Sequence, residues 1–396
     1  MSQLAGFDHV FTGRDCAKSL PDWILSLADR PTVTLVTGAQ TIERSEMAQD
    51  LICRLALVAK LIHLRVGGEP SDEWVDAARK EVRAMGDTTC VVSIGGGSAL
   101  DAGKALAALL CEKAPSIEYL EGVGFRNPSG KMLPWFALPT TAGTGSEAST
   151  NAVLSRPGST GFKRSLRHPA YRPSGVWLDP NLTATCTPAV IASCGMDAFT
   201  QLFEAWSSTQ VPADLAEVLE DALVAVYRHL PSLVEGTATD PTHAREALLI
   251  AAFLSGLGLT RAGLGTAHGL AGPIGAVVPI AHGLVCARLA GPCLRETVEW
   301  LRANPQGRHA TKALGKMTRL RERLAPYSPG STDAFADIQG WADRWELPRL
   351  GEVGLHPAHH PGVLRLASDR NSPAQLGPTV WKAILAEQKP FPGGLK

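Results

Sequence analysis

The sequence predicts an α/β domain built on a parallel sheet over residues 1–183 and an all-helical domain over residues 184–396. Three observations carry this. Strand-like and helix-like segments alternate through the first half, as in a parallel sheet covered on both faces. No convincing strand run follows Leu182. Beyond it, Pro188–Ser208, Pro212–His229 and Pro241–Leu257 each place a proline ahead of apolar residues at the helical period. At 396 residues the chain is also too long for one comfortable core.

The elements follow in order. Thr32–Thr37 (TVTLVT) is a β-branched run ending at Gly38, fit for a first strand and its turn. An amphipathic helix from Glu43 to Lys60 comes next, then a strand at LIHLRV (61–66). Ser71–Met85 has helical periodicity behind a Ser-Asp start. CVVSI (90–94) is a short apolar strand running into Gly95-Gly96-Gly97-Ser98, where an Ala/Leu-rich helix begins and continues to Leu110. WFALP (135–139) is a further buried strand, followed by TTAGTGSE. The Pro/Gly/His-rich segment 350–362 reads as a surface loop, with His356, His359 and His360 exposed on it.

Composition narrows the function classes. Lys+Arg and Asp+Glu both total 38, so there is no electrostatic footprint for nucleic acid or an anionic membrane. With 45% hydrophobic and 19% charged residues the chain is globular rather than disordered. Its eight cysteines are scattered without a CxxC pair, which reads as reduced thiols in a cytoplasmic protein. The start, MSQLAGFDHVFTG, is not basic and then apolar, so no secretory leader is expected from it, and the apolar runs are too short to cross a bilayer.

The strongest local feature is SIGGGSALDAGK (93–104), where a strand ends, three glycines allow close approach, and a helix begins at Ser98. The amide groups and dipole at such a helix start favour a pyrophosphate. A glycine triplet alone is as readily a tight turn. The second loop, Pro139-Thr140-Thr141-Ala142-Gly143-Thr144-Gly145-Ser146-Glu147, shifts the balance. Two hydroxyl- and glycine-rich loops at strand ends of one sheet suit a dinucleotide lying across the crevice. Further on, Asp197 and Gln201 are four apart on a predicted helix and share a face, while His268 and His282 lie fourteen apart.

These segments resemble the iron-containing, or group III metal-dependent, alcohol dehydrogenases, of dehydroquinate synthase-like fold. The likeness covers nearly the whole chain. It runs from GGGSALDAGK and PTTAGTGSE through Asn151-Ala152-Val153, Lys163, Leu178-Asp179-Pro180 and GMDAFTQLFEAW to AHGLAGPIGAVVPIAHG. It implies hydride transfer between a nicotinamide and a small alcohol or aldehyde, in a homodimer. Cofactor contacts are then expected at Gly38, Thr41, Gly95, Gly96, Gly97, Ser98, Asp101, Thr140, Thr141, Thr144, Ser146, Asn151, Val153, Lys163 and Leu178. It further implies one divalent ion, iron or zinc, held by Asp197, His268, His282 and the residue at 201, as a Lewis acid on the reacting oxygen.

Two positions depart from the family pattern. Gln201 replaces a histidine, and a neutral amide predicts a weak or empty site. Gly272 replaces a proton-relaying histidine four residues after His268. These departures keep open a metal-independent reductase of the maleylacetate type, or a lapsed enzyme that retains only the nucleotide. A lyase-like member is a remoter alternative. The turn Thr37-Gly38-Ala39-Gln40-Thr41 has no acid, which removes the usual obstacle to a 2′-phosphate and favours NADP(H) with NAD(H) tolerated. Arg261, just ahead of His268, is expected either to recognise a polar or anionic group on the substrate or to form a salt bridge.

Overall fold

The computed structural model describes residues 7, 9–158, 161–328 and 333–390. It divides into two compact units, one of Met1–Arg156, Lys163–Thr187 and Asp240–Leu257, the other of Pro157–Phe162, Pro188–Thr239 and Gly258–Lys396.

The first unit is built on strands β1 (Val10–Thr12), β2 (Thr32–Gly38), β3 (Lys60–Val66), β4 (Cys90–Gly95), β5 (Trp135–Pro139) and β8 (Gly175–Leu178). They form one sheet in the order β1-β8-β5-β4-β2-β3, with every pairing parallel. β6 (Asn151–Arg156) and β7 (Phe162–Arg167) pair separately. The apolar residues of four of these strands are buried together: Val33 and Leu35 of β2, Val92 and Ile94 of β4, Phe136 and Leu138 of β5, and Trp177 of β8 share one core. Against it pack Leu20 and Ile24 of α1 (Leu20–Leu25) and Leu51 and Leu55 of the helix Glu46–Val58.

The strand order positions a site. β2 and β4 are neighbours, yet the chain leaves β2 towards β3 on one side and β4 towards β5 on the other. The loops after Gly38 and Gly95 therefore diverge, leaving a crevice at the carboxyl ends of these strands, where open α/β sheets bind ligands.

Local chemistry explains where the expected elements changed. The helix expected from Glu43 to Lys60 is split into α2 (Thr41–Arg44) and α3 (Glu46–Val58) because Ser45 is extended and its Oγ accepts from the Ala48 amide at 3.2 Å, an N-cap that starts a new helix. The Ser-Asp start holds: Ser71 caps α4 (Asp72–Met85) by accepting from the Trp74 amide. α5 (Gly97–Leu109) begins one residue before the expected Ser98. The sequence reading had no strand at β1, β6, β7 or β8. β1 and β8 have three and four residues, too few to display a period. Trp177 nevertheless anchors β8, with ring contacts to Phe11 at 5.0 Å and Phe136 at 5.8 Å.

The second unit contains α6 (Pro188–Ser207), α7 (Ala213–Val234), α9 (Thr266–Val277), α10 (His282–Ala303), α11 (Ala310–Leu324), α12 (Ala334–Arg344), α13 (His360–Leu366) and α14 (Gly377–Ala386), with α6 packed on both α7 and α10. The helix α8 (Pro241–Ala262) departs from the expected 183/184 division, since its residues up to Leu257 belong to the first unit. This part of α8 approaches the second glycine-rich loop closely: a Cβ added at Gly256 would lie 1.9 Å from the Gly145 carbonyl oxygen. Segment 350–362 is less of a loop than expected, because Leu350 and Leu355 are buried and α13 starts at His360. Among the described residues no single helix is long and apolar enough to cross a membrane.

Candidate metal centre and dinucleotide loops

In the first unit the two glycine-rich loops lie against each other. Thr140 donates its amide to the Gly95 carbonyl at 2.9 Å. A Cβ at Gly97 would meet Thr144 Oγ1 at 2.6 Å, and one at Gly96 would meet Thr141 Oγ1 at 3.1 Å. The glycines thus make room for the neighbouring loop as well as for a ligand. Gly96 is the N-cap of α5 and no side chain caps that terminus, which leaves it suited to an anion.

A fully buried lysine stitches these loops together. Lys104 Nζ donates to the carbonyls of Ser146 (2.6 Å), Ser149 (3.0 Å) and Asn151 (2.6 Å) and to Ser149 Oγ (2.9 Å). Asp101 completes the tie, accepting from Ser146 Oγ at 2.5 Å and from the Val153 amide at 3.1 Å. Burial draws the Lys104 ammonium down to about 8, against the pull of Asp101 and Glu147. Burial likewise lifts the Glu147 carboxyl to about 7. Asp101, Ser146 and Val153 were expected as cofactor contacts; the structure gives them a role in shaping the loop. Lys104 closes the GGGSALDAGK segment, and nothing in its local sequence points to this role.

The other expected cofactor residues scatter more. Gly38 lies at the end of β2, followed by exposed Ala39 and Gln40, and the Thr41 side chain lies outside the described residues. Thr37 is fully buried, and its hydroxyl is engaged in a hydrogen bond with His63 Nε2 at 2.9 Å. Asn151 is buried, with its Nδ2 donating to Ser165 Oγ. Lys163 pairs with Glu69. Leu178 is fully buried in β8, opposite Thr12, so its side chain is a core residue rather than a ligand contact.

In the second unit three helices converge on one carboxylate. Asp197, on α6, is 1% exposed and neither of its oxygens makes a hydrogen bond. His268 Nε2 lies 3.3 Å and His282 Nε2 3.8 Å from Asp197 Oδ1. Burial alone would raise the Asp197 carboxyl, but His282 and His268 more than cancel this and hold it below the usual range. Cys286, one turn after His282 on α10, puts its Sγ 3.5 Å from Nε2 of each histidine. Donor atoms of Asp197, His268, His282 and Cys286 all lie within 4.8 Å of one another. A buried carboxylate that makes no hydrogen bond, ringed by imidazoles and a thiol, is a donor set that fits a divalent cation.

Glu204 holds this group from behind. It lies seven residues after Asp197 on α6 and accepts from His268 Nδ1 at 2.7 Å and from the Ala267 amide at 2.6 Å. The first contact orients the His268 ring so that Nε2 faces Asp197, as a second carboxylate does behind metal-bound histidines. The second caps α9, whose N-cap Gly265 offers no side chain.

Residues 8–180 match the family Iron-containing alcohol dehydrogenase, and residues 191–339 match Fe-containing alcohol dehydrogenase family, C-terminal. The chain belongs to the iron-containing alcohol dehydrogenases. The probable alcohol dehydrogenase EutG of Salmonella typhimurium is 35% identical over 296 residues, covering 74% of this chain and 70% of that protein. EutG of Escherichia coli is 35% identical over 222 residues, 56% of this chain and 54% of that relative, so the match spans about half its length. A 1,3-propanediol oxidoreductase shares the fold with a TM-score of 0.81 and 23% identity, over 96% of this chain and 98% of its own. Sulfoacetaldehyde reductase from Bifidobacterium kashiwanohense, solved in complex with NAD+, does so with a TM-score of 0.77 and 24% identity, over 96% of both chains.

As a member of the iron-containing alcohol dehydrogenases, the protein is an oxidoreductase acting on CH–OH donors. In this member Gln201 is buried on the same face of α6, one turn after Asp197. Gly272 stands one turn after His268 in α9, and a Cβ there would meet nothing within 4 Å. Arg261, at the end of α8, is bound by Asp214 at 2.9 Å, so of its two expected readings the structure displays the salt bridge.

Proposed function

We propose that this oxidoreductase interconverts a small alcohol and its aldehyde using NADP(H) or NAD(H), with Asp197, His268 and His282 holding a divalent ion. The observation that carries the reading is the Asp197 carboxylate, buried without a hydrogen bond between two imidazoles. When bound, such an ion polarises the reacting oxygen as a Lewis acid. Asp197 supplies the anionic donor, and Glu204 fixes the tautomer and ring angle of His268. His282, 23% exposed against 10% for His268, is the imidazole nearer solvent. The uncapped start of α5 receives the pyrophosphate, and Lys104 keeps the adjoining loop in shape. Use of NADP(H) is supported by the absence of an acid in the β2 turn; the nearest, Glu43, is occupied by Arg65 at 2.7 Å. With Gly272 in place of a relay side chain, the proton travels through water or a ribose hydroxyl. Among the described residues none of the eight cysteines forms a disulfide, which fits a reducing cytoplasmic compartment. A homodimer belongs to the same reading.

The test pairs elemental analysis with NADPH and NADH oxidation against a panel of aldehydes, before and after chelation. One equivalent of metal, with turnover lost on chelation and regained on reloading, is the expected result. Undiminished turnover of the metal-free protein overturns it.

A further inference from the structure

We propose that Cys286 is a thiolate ligand of the divalent ion, completing an Asp–His–His–Cys set that does not depend on the Gln201 amide. The inference rests on the metal-assisted reading above and concerns which side chains make the site. It stands on distances. A tetrahedral zinc ion with bonds of about 2.3 Å to sulfur and about 2.05 Å to nitrogen or oxygen separates sulfur from nitrogen by about 3.5 Å, and nitrogen from oxygen by about 3.3 Å. The structure has Cys286 Sγ at 3.5 Å from His268 Nε2 and at 3.5 Å from His282 Nε2. It has His268 Nε2 at 3.3 Å from Asp197 Oδ1, and His282 Nε2 at 3.8 Å. Three of these four edges are those of a tetrahedral ion, and the fourth is within half an ångström.

Sequence spacing gives the same answer from another side. His282 and Cys286 are the first and fifth residues of α10, so one turn of helix presents both donors on one face. Asp197 is the independent sign of a ligand, since both its oxygens are buried and without hydrogen bonds. The pattern His282-x-x-x-Cys286 thus supplies what the loss of an imidazole at 201 removes. The chemistry changes with it. A thiolate is a softer donor than imidazole or amide, and it moves the preference of the site towards zinc or cobalt and away from ferrous iron. Loading the site displaces the thiol proton.

The experiment uses the intact protein stripped of metal and reloaded with cobalt(II). Wild-type protein is expected to bind one equivalent and to show a thiolate-to-cobalt charge-transfer band in the near-ultraviolet. The band is expected to vanish in Cys286→Ser and to persist in Gln201→Leu. Zinc affinity is expected to fall at least about tenfold in the first variant. X-ray absorption on zinc-loaded wild-type protein needs no variant to fold, and should find one sulfur at about 2.3 Å. Cobalt bound without the band, or zinc with only nitrogen and oxygen neighbours, overturns the role of Cys286 and leaves the metal-assisted reading standing. No cobalt bound by wild-type protein overturns both.

Discussion

Two buried charges are treated in opposite ways. In the first unit Lys104 is surrounded by acceptors, so three carbonyls and a hydroxyl saturate an ammonium held away from water. In the second, Asp197 is as deeply buried and receives no hydrogen bond. A saturated buried ion stiffens what surrounds it and needs nothing more. A buried ion left with imidazoles and a thiol at coordination distance is prepared for a partner of opposite charge. The difference separates a structural ion from a ligand-binding one without reference to any homologue.

The largest expected break in that contrast is Asp197→Asn. It should lower kcat/KM about a thousandfold, the several kcal/mol that polarisation by a metal supplies. Elemental analysis should show the ion lost, while the metal-free variant still unfolds cooperatively, less stable only by the attraction of Asp197 to His268 and His282. Lys104→Met should do the converse, costing about 3–5 kcal/mol in urea unfolding by stranding three carbonyls and the carboxyls of Asp101 and Glu147. Metal content of the folded fraction should stay unchanged. Glu204→Gln keeps the shape but weakens the grip on His268 Nδ1, and metal affinity measured by chelator competition should fall about 10–100-fold.

The smallest effect is a pH dependence. Glu147 has its carboxyl raised from 4.5 to about 7, so the folded state binds more protons than the unfolded state between those values. Its contribution to stability is full below 4.5 and is lost as pH rises through about 7. Glu147→Gln should flatten this decline, a difference on the order of 1–3 kcal/mol in unfolding free energy between pH 5 and 7.5. Parallel pH profiles for the two proteins would show that the buried carboxyl is already neutralised by Lys104.

Much of the fold could be read from residue patterns because its long elements announce themselves. TVTLVT, CVVSI and WFALP are apolar runs bounded by glycine or proline, and all three are central strands. β8 could not be read, since GVWL is four residues long and its strand character depends on Trp177 meeting Phe11 and Phe136, contacts distant in sequence. At the site, Asp197, His268 and His282 were visible as spaced donors and do come together. Cys286 is not, because a cysteine in an apolar helix reads as core until a facing helix brings the His268 imidazole to it beside His282 of its own helix. The signal was present in the four-residue spacing from His282, the same spacing that drew attention to Asp197 and Gln201. Glu204 and Lys104 were passed over for a related reason: each acts through other residues rather than on a ligand, and such work leaves no local trace.

The contact between Gly97 and Thr144 has a consequence for how this chain can change. With 2.6 Å between a would-be methyl at 97 and the Thr144 hydroxyl, Gly97 cannot gain a side chain while Thr144 stays as it is. Growth at position 97 therefore follows a fixed order, the threonine shrinking before the glycine grows. A library that varies position 97 alone would return glycine there, whereas one that couples 97 to 144 would open combinations that a single step at 97 cannot reach.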